Sequence, residues 1–346
     1  MWLKIALLLL LVLIITSLFI FQPLPDNLDN FPTQQVKIPR GASFGQIADS
    51  LAMKGIINNK KQFVLVGRLS GKDKKIHSGM FLVPQGLNTW QVISFLEKAK
   101  RVSIKVTLPE GISAASMAGI LQKALEIDSV RFMSYVNDSL LAESLGVETP
   151  TLDGYLLPET YYFVWKMPEK ELVVFLANRT LEIFRPDSVQ QRLRELNMSM
   201  NQIMTLASII EGEVVIDSER TIVSSVYHNR LKSKWLLQAD PTIQYLLKGS
   251  PRRLTYKDLR IDSPYNTYLY TGLPPTPINN PGKKSILAAL YPARTSYFYF
   301  VAVGDGSHHF SKTSREHLYW KRKFDRIRKQ VRLEEKRRQN QQRKGQ

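Results

Sequence analysis

An acidic residue interrupts an otherwise apolar helical pattern in the segment 201–213. Aliphatic side chains recur at Ile203, Leu206 and Ile210 with the spacing of one helix face, and the next position on that face is Glu213. A carboxyl group there lies either in solvent just beyond the helix end or in a partly apolar cleft, where desolvation raises its pKa. A carboxylic acid that stays protonated near neutral pH can donate a proton to a leaving group, so Glu213 is a candidate general acid.

The positions of the other acids near Glu213 can be explained by their effect on helix structure or by exposure to solvent, without a catalytic role. Glu211 is two residues earlier, about 200° round the helix, and we expect it to face solvent. Asp217 or Ser218 suits the N-cap of a following helix, and Glu219 would lie in its first turn, where the helix dipole favours a negative charge.

The sequence predicts neither a metal site nor a cofactor site. Cys is absent, which excludes disulfides, Cys-ligated zinc, iron–sulfur clusters and thiol nucleophiles. None of the five histidines forms the H-E-x-x-H pattern, and neither a glycine-rich phosphate loop nor a G-x-S-x-G motif is present. The histidines are His77, His228, His308, His309 and His317.

A long segment rich in Pro, Gly, Asn and Tyr, 262–282, has neither a helical nor a strand period. It carries Tyr265, Asn266 and Tyr268, which combine flat apolar rings with amide and hydroxyl groups. Sugars need both, because their C–H faces stack on aromatic rings while their hydroxyls need hydrogen bonds. The segment therefore suits a sugar-binding loop or, equally, plain turn scaffolding.

The elements that would position these residues begin with an internal repeat, apolar-Pro-x-Gly-x-[Ser/Asn], at 38–43, 83–88 and 108–113. Proline ends a strand, glycine supplies a permissive turn, and Ser43, Asn88 or Ser113 serves as the N-cap of a helix. Gln46 and Gln91 would complete capping boxes. Apolar side chains follow each glycine at one-face helical spacing, namely Ile47 and Leu51, Val92 and Leu96, and Met117 and Leu121. The unequal spacing of the repeats excludes a solenoid and favours small α+β modules.

From about residue 115 the pattern becomes mainly helical. Periodicity predicts helices over 170–185, 200–213 and 219–233, a buried strand over 297–303, and a charged terminal helix or tail over 316–342.

The N-terminus predicts a membrane anchor. Residues 5–21 are apolar except for Thr16 and Ser17, span roughly 25 Å as a helix, and end in bulky residues rather than in a small-residue cleavage site. Lys4 places residues 1–4 in the cytoplasm, and residues 22–36 read as a linker.

The chain carries 48 Lys and Arg against 30 Asp and Glu, a net charge of +18. Half of this charge, +9, falls within 321–346. The charge alone would suit nucleic acid or acidic lipid, but the predicted membrane topology argues against nucleic acid.

Several ordered motifs together resemble the bacterial endolytic murein transglycosylases, the YceG-like family. The likeness covers about residues 37–325 and rests on the segments 154–161, 206–213, 218–220, 226–231, 237–242, 265–268, 272–278 and 308–317. Gly212 departs from the pattern, since the family often carries a larger polar residue there, and this loosens the helix end by about 1 kcal/mol. The basic tail 326–346 lies outside the likeness.

The resemblance implies an α+β protein of the inner membrane whose bulk is periplasmic. After the single transmembrane helix it implies a small LysM-like module over 37–100 and then a YceG-like region over 101–325, with a mixed α+β catalytic core at about 190–325. It implies that Glu213 is catalytic and that peptidoglycan glycan strands are the substrate, with peptidoglycan synthases as possible partners. Candidate substrate-binding residues are Glu219, Asn229, Gln238, Asp240, Tyr265, Asn266 and Tyr268.

The chemistry that follows is a lytic cleavage after N-acetylmuramic acid, which limits the length of nascent strands. Glu213 would protonate the leaving oxygen and then, ionised, deprotonate the C6 hydroxyl of the same sugar, which closes a 1,6-anhydro ring. Two alternatives remain open. One is an inverting glycosidase that pairs Glu213 with Glu219 or Asp240, and the other is a non-catalytic wall-binding scaffold.

Overall fold

The computed structural model describes residues 22–247 and 252–344. The predicted anchor 5–21 lies outside the described residues. Within them, no helix combines the length and the apolar character needed to cross a membrane. The described residues form a mixed α+β structure of many helices and three two-stranded sheets, as predicted.

The chain divides into two compact units. The first comprises the described residues up to Val106 together with Gln122–Ile127 and Tyr161–Pro168, and the second contains the rest. The first unit holds strands β1 (Thr33–Ile38) and β2 (Gly79–Pro84) and helices α1 (Phe44–Met53), α2 (Lys60–Leu69) and α3 (Thr89–Lys98). β1 and β2 pair antiparallel, with Thr33 opposite Pro84 and Ile38 opposite Gly79. Strands β3 (Ser103–Thr107) and β4 (Thr160–Val164) form a second sheet.

The repeat predicted from the sequence is present. Each copy runs strand, turn, helix, and the third copy leads into α4 (Ala114–Leu125). Ser43 and Asn88 form capping boxes with Gln46 and Gln91, and the Ser113 hydroxyl accepts from the backbone N–H of Ser116. The turn glycines all have positive φ, which is why the pattern needs glycine there; they are Gly41 (76°), Gly86 (83°) and Gly111 (75°). The six apolar positions that follow the glycines are all buried.

The second unit is mainly helical, as predicted. Its elements are α5 (Ser129–Val136), α6 (Ser139–Ser144), α7 (Glu169–Phe184), α8 (Asp187–Leu196), α9 (Met200–Glu213), α10 (Arg220–Lys232), α11 (Asp240–Leu246), α12 (Lys283–Leu290), strands β5 (Tyr299–Ala302) and β6 (His308–Ser311), and α13 (Ser314–Lys344). Strand β5, which pairs antiparallel with β6, confirms the strand predicted over 297–303, but the prediction that it is buried is wrong, because its residues are half-buried or exposed. Segment 262–282 has no helix or strand, as predicted.

Helix α9 lies at the centre of this unit and packs against α10, α11 and α12. All eight residues from Ile203 to Ile210 are buried, so the helix is enclosed on every side rather than along one stripe. Ser199 and Gln202 cap its start with a capping box. Residues 211–213 therefore form the polar end of a helix whose preceding turns are buried. Its two acids, Glu211 and Glu213, lie at the edge of the buried core.

Candidate active site

Glu213 is the last residue of α9, and one of its carboxyl oxygens, Oε2, is buried without a hydrogen-bond partner among the described residues. Burial raises the pKa of this carboxyl group to about 8, with a further contribution from the negative charge of Asp240. The positive charge of Arg230 acts in the opposite direction. Glu213 is therefore protonated at neutral pH, as a general acid must be.

Helix α10 supplies two residues to the same site. Tyr227 is 1% exposed, and its hydroxyl, like Oε2 of Glu213, has no partner in the described part of the chain. Arg230 is also buried, and its guanidinium donates to the carbonyl oxygens of Phe298 (2.8 Å) and Leu237 (2.5 Å). Backbone carbonyls thus fix a positive charge beside the acid.

The start of α11 and the 262–282 loop also contribute residues to this site. The Tyr268 hydroxyl donates to the Asp240 carboxylate, and burial together with this contact raises the pKa of Tyr268. Gln238 has a left-handed backbone conformation (φ 50°) and an exposed side chain, and its N–H donates to the carbonyl of Thr267 (3.0 Å). Backbone contacts therefore fasten the loop to the segment before α11, which brings Gln238, Asp240 and Tyr268 together.

Two other predicted loop residues are occupied by internal contacts. The Asn266 side chain is fully buried; its amide donates to the carbonyls of Leu259 (3.1 Å) and Ile261 (2.7 Å), and its oxygen accepts from the N–H of Tyr268 (2.9 Å). The Tyr265 hydroxyl hydrogen-bonds Thr276 (2.6 Å). Asn266 thus shapes the loop rather than facing outward.

Glu219 and Asn229 are likewise engaged with the β5–β6 region. The Glu219 carboxylate accepts from the backbone N–H of His308 (2.9 Å) and contacts its Nδ1 (2.7 Å). The Asn229 amide donates to the carbonyls of Thr295 (3.1 Å) and Tyr297 (2.8 Å). Both side chains hold segments of the second unit together.

The expectation that Glu211 faces solvent is wrong. Its side chain is only 6% exposed and pairs with Arg220 (3.1 Å). Its other oxygen accepts from the N–H of Gly282, which precedes α12 (2.9 Å). The angular position of Glu211 on an isolated helix predicted that it faces solvent, but α10 and α12 cover that side of α9. The buried Arg220 and the N–H at the start of α12 satisfy its carboxylate.

Gly212, between the two acids, lies against α11. A Cβ atom at this position would approach Pro241 Cβ to 2.7 Å and Cγ to 3.0 Å. The departure from the family pattern therefore coincides with close packing of Pro241 on the end of α9.

Sequence reasoning missed Asn280, the main polar anchor of the loop. Its amide oxygen accepts from the N–H groups of Gly154 (2.8 Å) and Leu156 (2.9 Å), and its nitrogen donates to Ile112 (3.0 Å) and Asp153 (2.9 Å). The turn motif 154–161 was noticeable in the sequence, but its partner lies more than 120 residues away. No local signal identifies such a pair.

The site as a whole has the groups that general acid catalysis requires: a carboxyl group with a raised pKa, a fixed cation and two tyrosines lie at the end of a buried helix. Among the described residues, no group of three or more His, Asp or Glu side chains is arranged to hold a metal ion.

Comparison with known proteins identifies the family. The YceG-like family matches residues 36–323. A Bacillus subtilis protein named endolytic murein transglycosylase is 31% identical over 321 residues, which cover 87% of each chain. A Streptococcus pneumoniae protein of the same name is 23% identical over 329 residues, 85% of this chain and 58% of its own length. The crystal structure of a YceG-like protein from Listeria monocytogenes matches with a TM-score of 0.58 at 30% identity, covering 83% of this chain and 98% of that one. The chain belongs to the YceG-like family.

Proposed function

We propose that this chain is an endolytic murein transglycosylase. It cleaves the β-1,4 bond between N-acetylmuramic acid and N-acetylglucosamine within peptidoglycan strands and leaves 1,6-anhydro ends, which limits strand length. The observation that carries this proposal is Glu213 at the end of α9, whose Oε2 is buried and whose pKa is raised to about 8. The name of the Bacillus subtilis relative, which matches most of both chains, supports the substrate.

In the first step, Glu213 donates its proton to the glycosidic oxygen as the bond to C1 of the muramic acid breaks. A carboxyl group with a pKa of about 8 is in the required protonation state at neutral pH. The nearby Arg230 cation stabilises the carboxylate that forms, because opposite charges attract strongly in a site of low dielectric.

In the second step, the Glu213 carboxylate takes the proton of the C6 hydroxyl while that oxygen bonds to C1. The proton thus returns to the group that gave it, and the 1,6-anhydro ring closes. Holding the muramic acid in its reacting conformation supplies much of the rate, since the nucleophile, the C6 hydroxyl, belongs to the same sugar as C1.

Asp240 supports a second candidate function, that of an inverting glycosidase, because its charge acts on Glu213 and it is exposed enough to hold a water molecule. Glu219 is less suited to that role because His308 engages both of its oxygens. The two functions differ in their product, since hydrolysis leaves a reducing end.

We assign the predicted binding residues to two groups. Gln238, Asp240 and Tyr268 contact the glycan, because the backbone brings them together and Asp240 and Tyr268 interact electrostatically with Glu213. Tyr265, whose ring packs against Tyr245, adds an aromatic face. Glu219, Asn229 and Asn266 act indirectly, because their polar groups already hold backbone segments in place.

The wider organisation is part of the same proposal. Residues 5–21 anchor the chain in the inner membrane, with residues 1–4 in the cytoplasm, 22–36 as a linker and the remainder periplasmic. The strand–turn–helix copies before residue 100 form a LysM-like module that holds glycan, 101–325 is the YceG-like region, and 326–346 is a basic tail. Peptidoglycan synthases are natural partners, because their product is this substrate.

The test is mass spectrometry of products from purified glycan strands treated with the full-length chain in detergent. We expect 1,6-anhydro ends from internal cleavage and no product from Glu213→Gln. Reducing ends would instead support the inverting glycosidase. Glycan binding without any cleavage by the wild type would support the scaffold.

A further inference from the structure

Two buried oxygen atoms at the junction of α9 and α10 have no hydrogen-bond partner among the described residues. They are Oε2 of Glu213 and the hydroxyl of Tyr227, and the two helices pack directly against each other. Buried polar groups in native proteins are nearly always paired, because an unpaired group loses its hydration without compensation. Other buried side-chain atoms in the described residues also lack a partner, but Glu213 and Tyr227 in addition act on each other electrostatically, so these two groups lie close together.

The Tyr227 side chain is held in place. It is 1% exposed, and its ring meets Phe300 edge to face, with centroids 5.9 Å apart and planes at 89°. Burial, and then the negative charge of Glu213, raise the pKa of its hydroxyl well above the ordinary value. The hydroxyl therefore keeps its hydrogen and can act as a donor at every pH at which the protein works.

The polar groups nearest this pair make hydrogen bonds to other parts of the chain. The Tyr268 hydroxyl donates to Asp240, and Arg230 donates to two backbone carbonyls. Asp240 and Arg230 act on Glu213 with opposite sign, and the same groups act on Tyr227. The Tyr227 hydroxyl, by contrast, is buried and has no partner within the described part of the chain.

We propose that Tyr227 is a positioning residue whose hydroxyl donates a hydrogen bond, directly or through one water molecule, to the Glu213 carboxylate formed after proton transfer. This inference rests on the proposed function, since it needs a reaction in which Glu213 loses and regains a proton. The proton passes from Glu213 to the leaving oxygen and returns from the C6 hydroxyl, while Tyr227 keeps its own hydrogen throughout. The bond holds the carboxylate in the orientation from which it accepts that proton.

The test is Tyr227→Phe in the full-length protein, a change that removes one oxygen and leaves the ring. Because no group in the described residues is hydrogen-bonded to the hydroxyl, we expect Tm to stay the same or rise. We expect kcat to fall about 10–100-fold, the effect of losing a hydrogen bond to a charged group. The alkaline limb of kcat/KM should move up by about one pH unit, since the ionised form of Glu213 loses stabilisation.

Tyr155→Phe is the matched control. Tyr155 is also fully buried in the second unit, but its hydroxyl donates to Asn201 Oδ1 at 3.0 Å. We expect this variant to lower Tm and to leave the alkaline limb where it is. A Tyr227→Phe variant that loses stability like Tyr155→Phe and keeps the wild-type pH profile would overturn the inference.

A second readout separates this inference from the proposed function. The carboxyl carbon of Glu213, assigned in ¹³C spectra by its loss in Glu213→Gln, reports the pKa of that group without any substrate. A higher pKa in Tyr227→Phe supports the hydrogen bond even if the wild type releases reducing ends, which would overturn the transglycosylase alone. An unchanged pKa overturns the hydrogen bond even if anhydro products form.

Discussion

Glu213→Gln is expected to abolish cleavage and, at neutral pH, to stabilise the folded protein. General acid–base catalysis contributes about 10²–10⁴-fold to each step that it serves, and Glu213 serves both, so product should fall below detection. The stability effect has a separate cause. The unfolded carboxyl group ionises with a pKa near 4.5, whereas burial raises the folded pKa to about 8. Folding at pH 7 therefore binds a proton at a cost in free energy, and an amide removes that cost.

The magnitude follows from the two pKa values. Because the folded pKa is the higher one, wild type has its full stability below about pH 4.5 and loses part of it as the pH rises to about 8. At about 1.4 kcal/mol for each pH unit, the free energy of unfolding of Glu213→Gln should exceed that of wild type by up to about 3 kcal/mol at pH 7. The gap should reach up to about 5 kcal/mol above pH 8 and close near pH 4.

The assay is calorimetry of both full-length proteins at pH 4.5, 7 and 8.5. A unit of this size gains about 2–4 °C in Tm per kcal/mol, so a rise of about 6–12 °C at pH 7 corresponds to the full effect. Glu211→Gln is the matched control, two residues away. It weakens a pair with the buried Arg220 and should cost about 2–4 kcal/mol at pH 7, while cleavage per folded molecule stays within about tenfold.

The opposite signs of these two effects make the reasoning refutable. If Glu213→Gln lowers Tm at pH 7 as Glu211→Gln does, Glu213 is ionised and paired in the folded protein and is not the resting acid. If Glu211 is essential for cleavage and Glu213 is not, the two roles are reversed.

Four further outcomes are expected. Intact-mass measurement of membrane-extracted protein should show residues 5–21 still attached; a new N-terminus near residue 22 would contradict the anchor. Deletion of 326–346 should weaken binding to anionic liposomes at low salt, by about 1 kcal/mol per lost charge, without changing turnover; a large loss of turnover would show that the tail packs on the second unit. Gly212→Ala should lower Tm, because the new Cβ meets Pro241 at 2.7 Å, and an unchanged Tm would mean that Pro241 yields easily. Asn280→Ala should cost about 3 kcal/mol or more in chemical denaturation, because four hydrogen bonds lose their partner; a loss below 1 kcal/mol would contradict its anchoring role.

Local elements were predictable because their causes lie within a few residues. The three repeat turns follow from proline, a glycine with positive φ and a capping side chain, all within six positions. Helix α9 and the irregular loop 262–282 were recognisable for the same reason. Glu213 was found through its apolar neighbours, although the structure shows a helix buried all round rather than one buried stripe.

The wrong prediction for Glu211 and the features that the sequence did not reveal all depend on contacts between segments that are distant in the chain. The burial of Glu211 needs Arg220 and the start of α12, which no single-helix projection contains. The return of Gln122–Ile127 and Tyr161–Pro168 to the first unit has no sequence signal of its own. Tyr227 was not singled out in the sequence, because a buried hydroxyl without a partner in the described residues is a property of packing and not of a motif.

The contacts of Asn280 also determine when the site can form during folding. They join residue 280 to residues 112, 154 and 156, and so close loops of 168, 126 and 124 residues. Pairings over such distances are slow, because the chain entropy of loop closure is lost before the contacts form. During N-to-C synthesis, a nascent chain that ends before residue 280 lacks the anchor of the loop that carries Tyr268. The acid at position 213 is thus made early, while the loop that carries Tyr268 is anchored late.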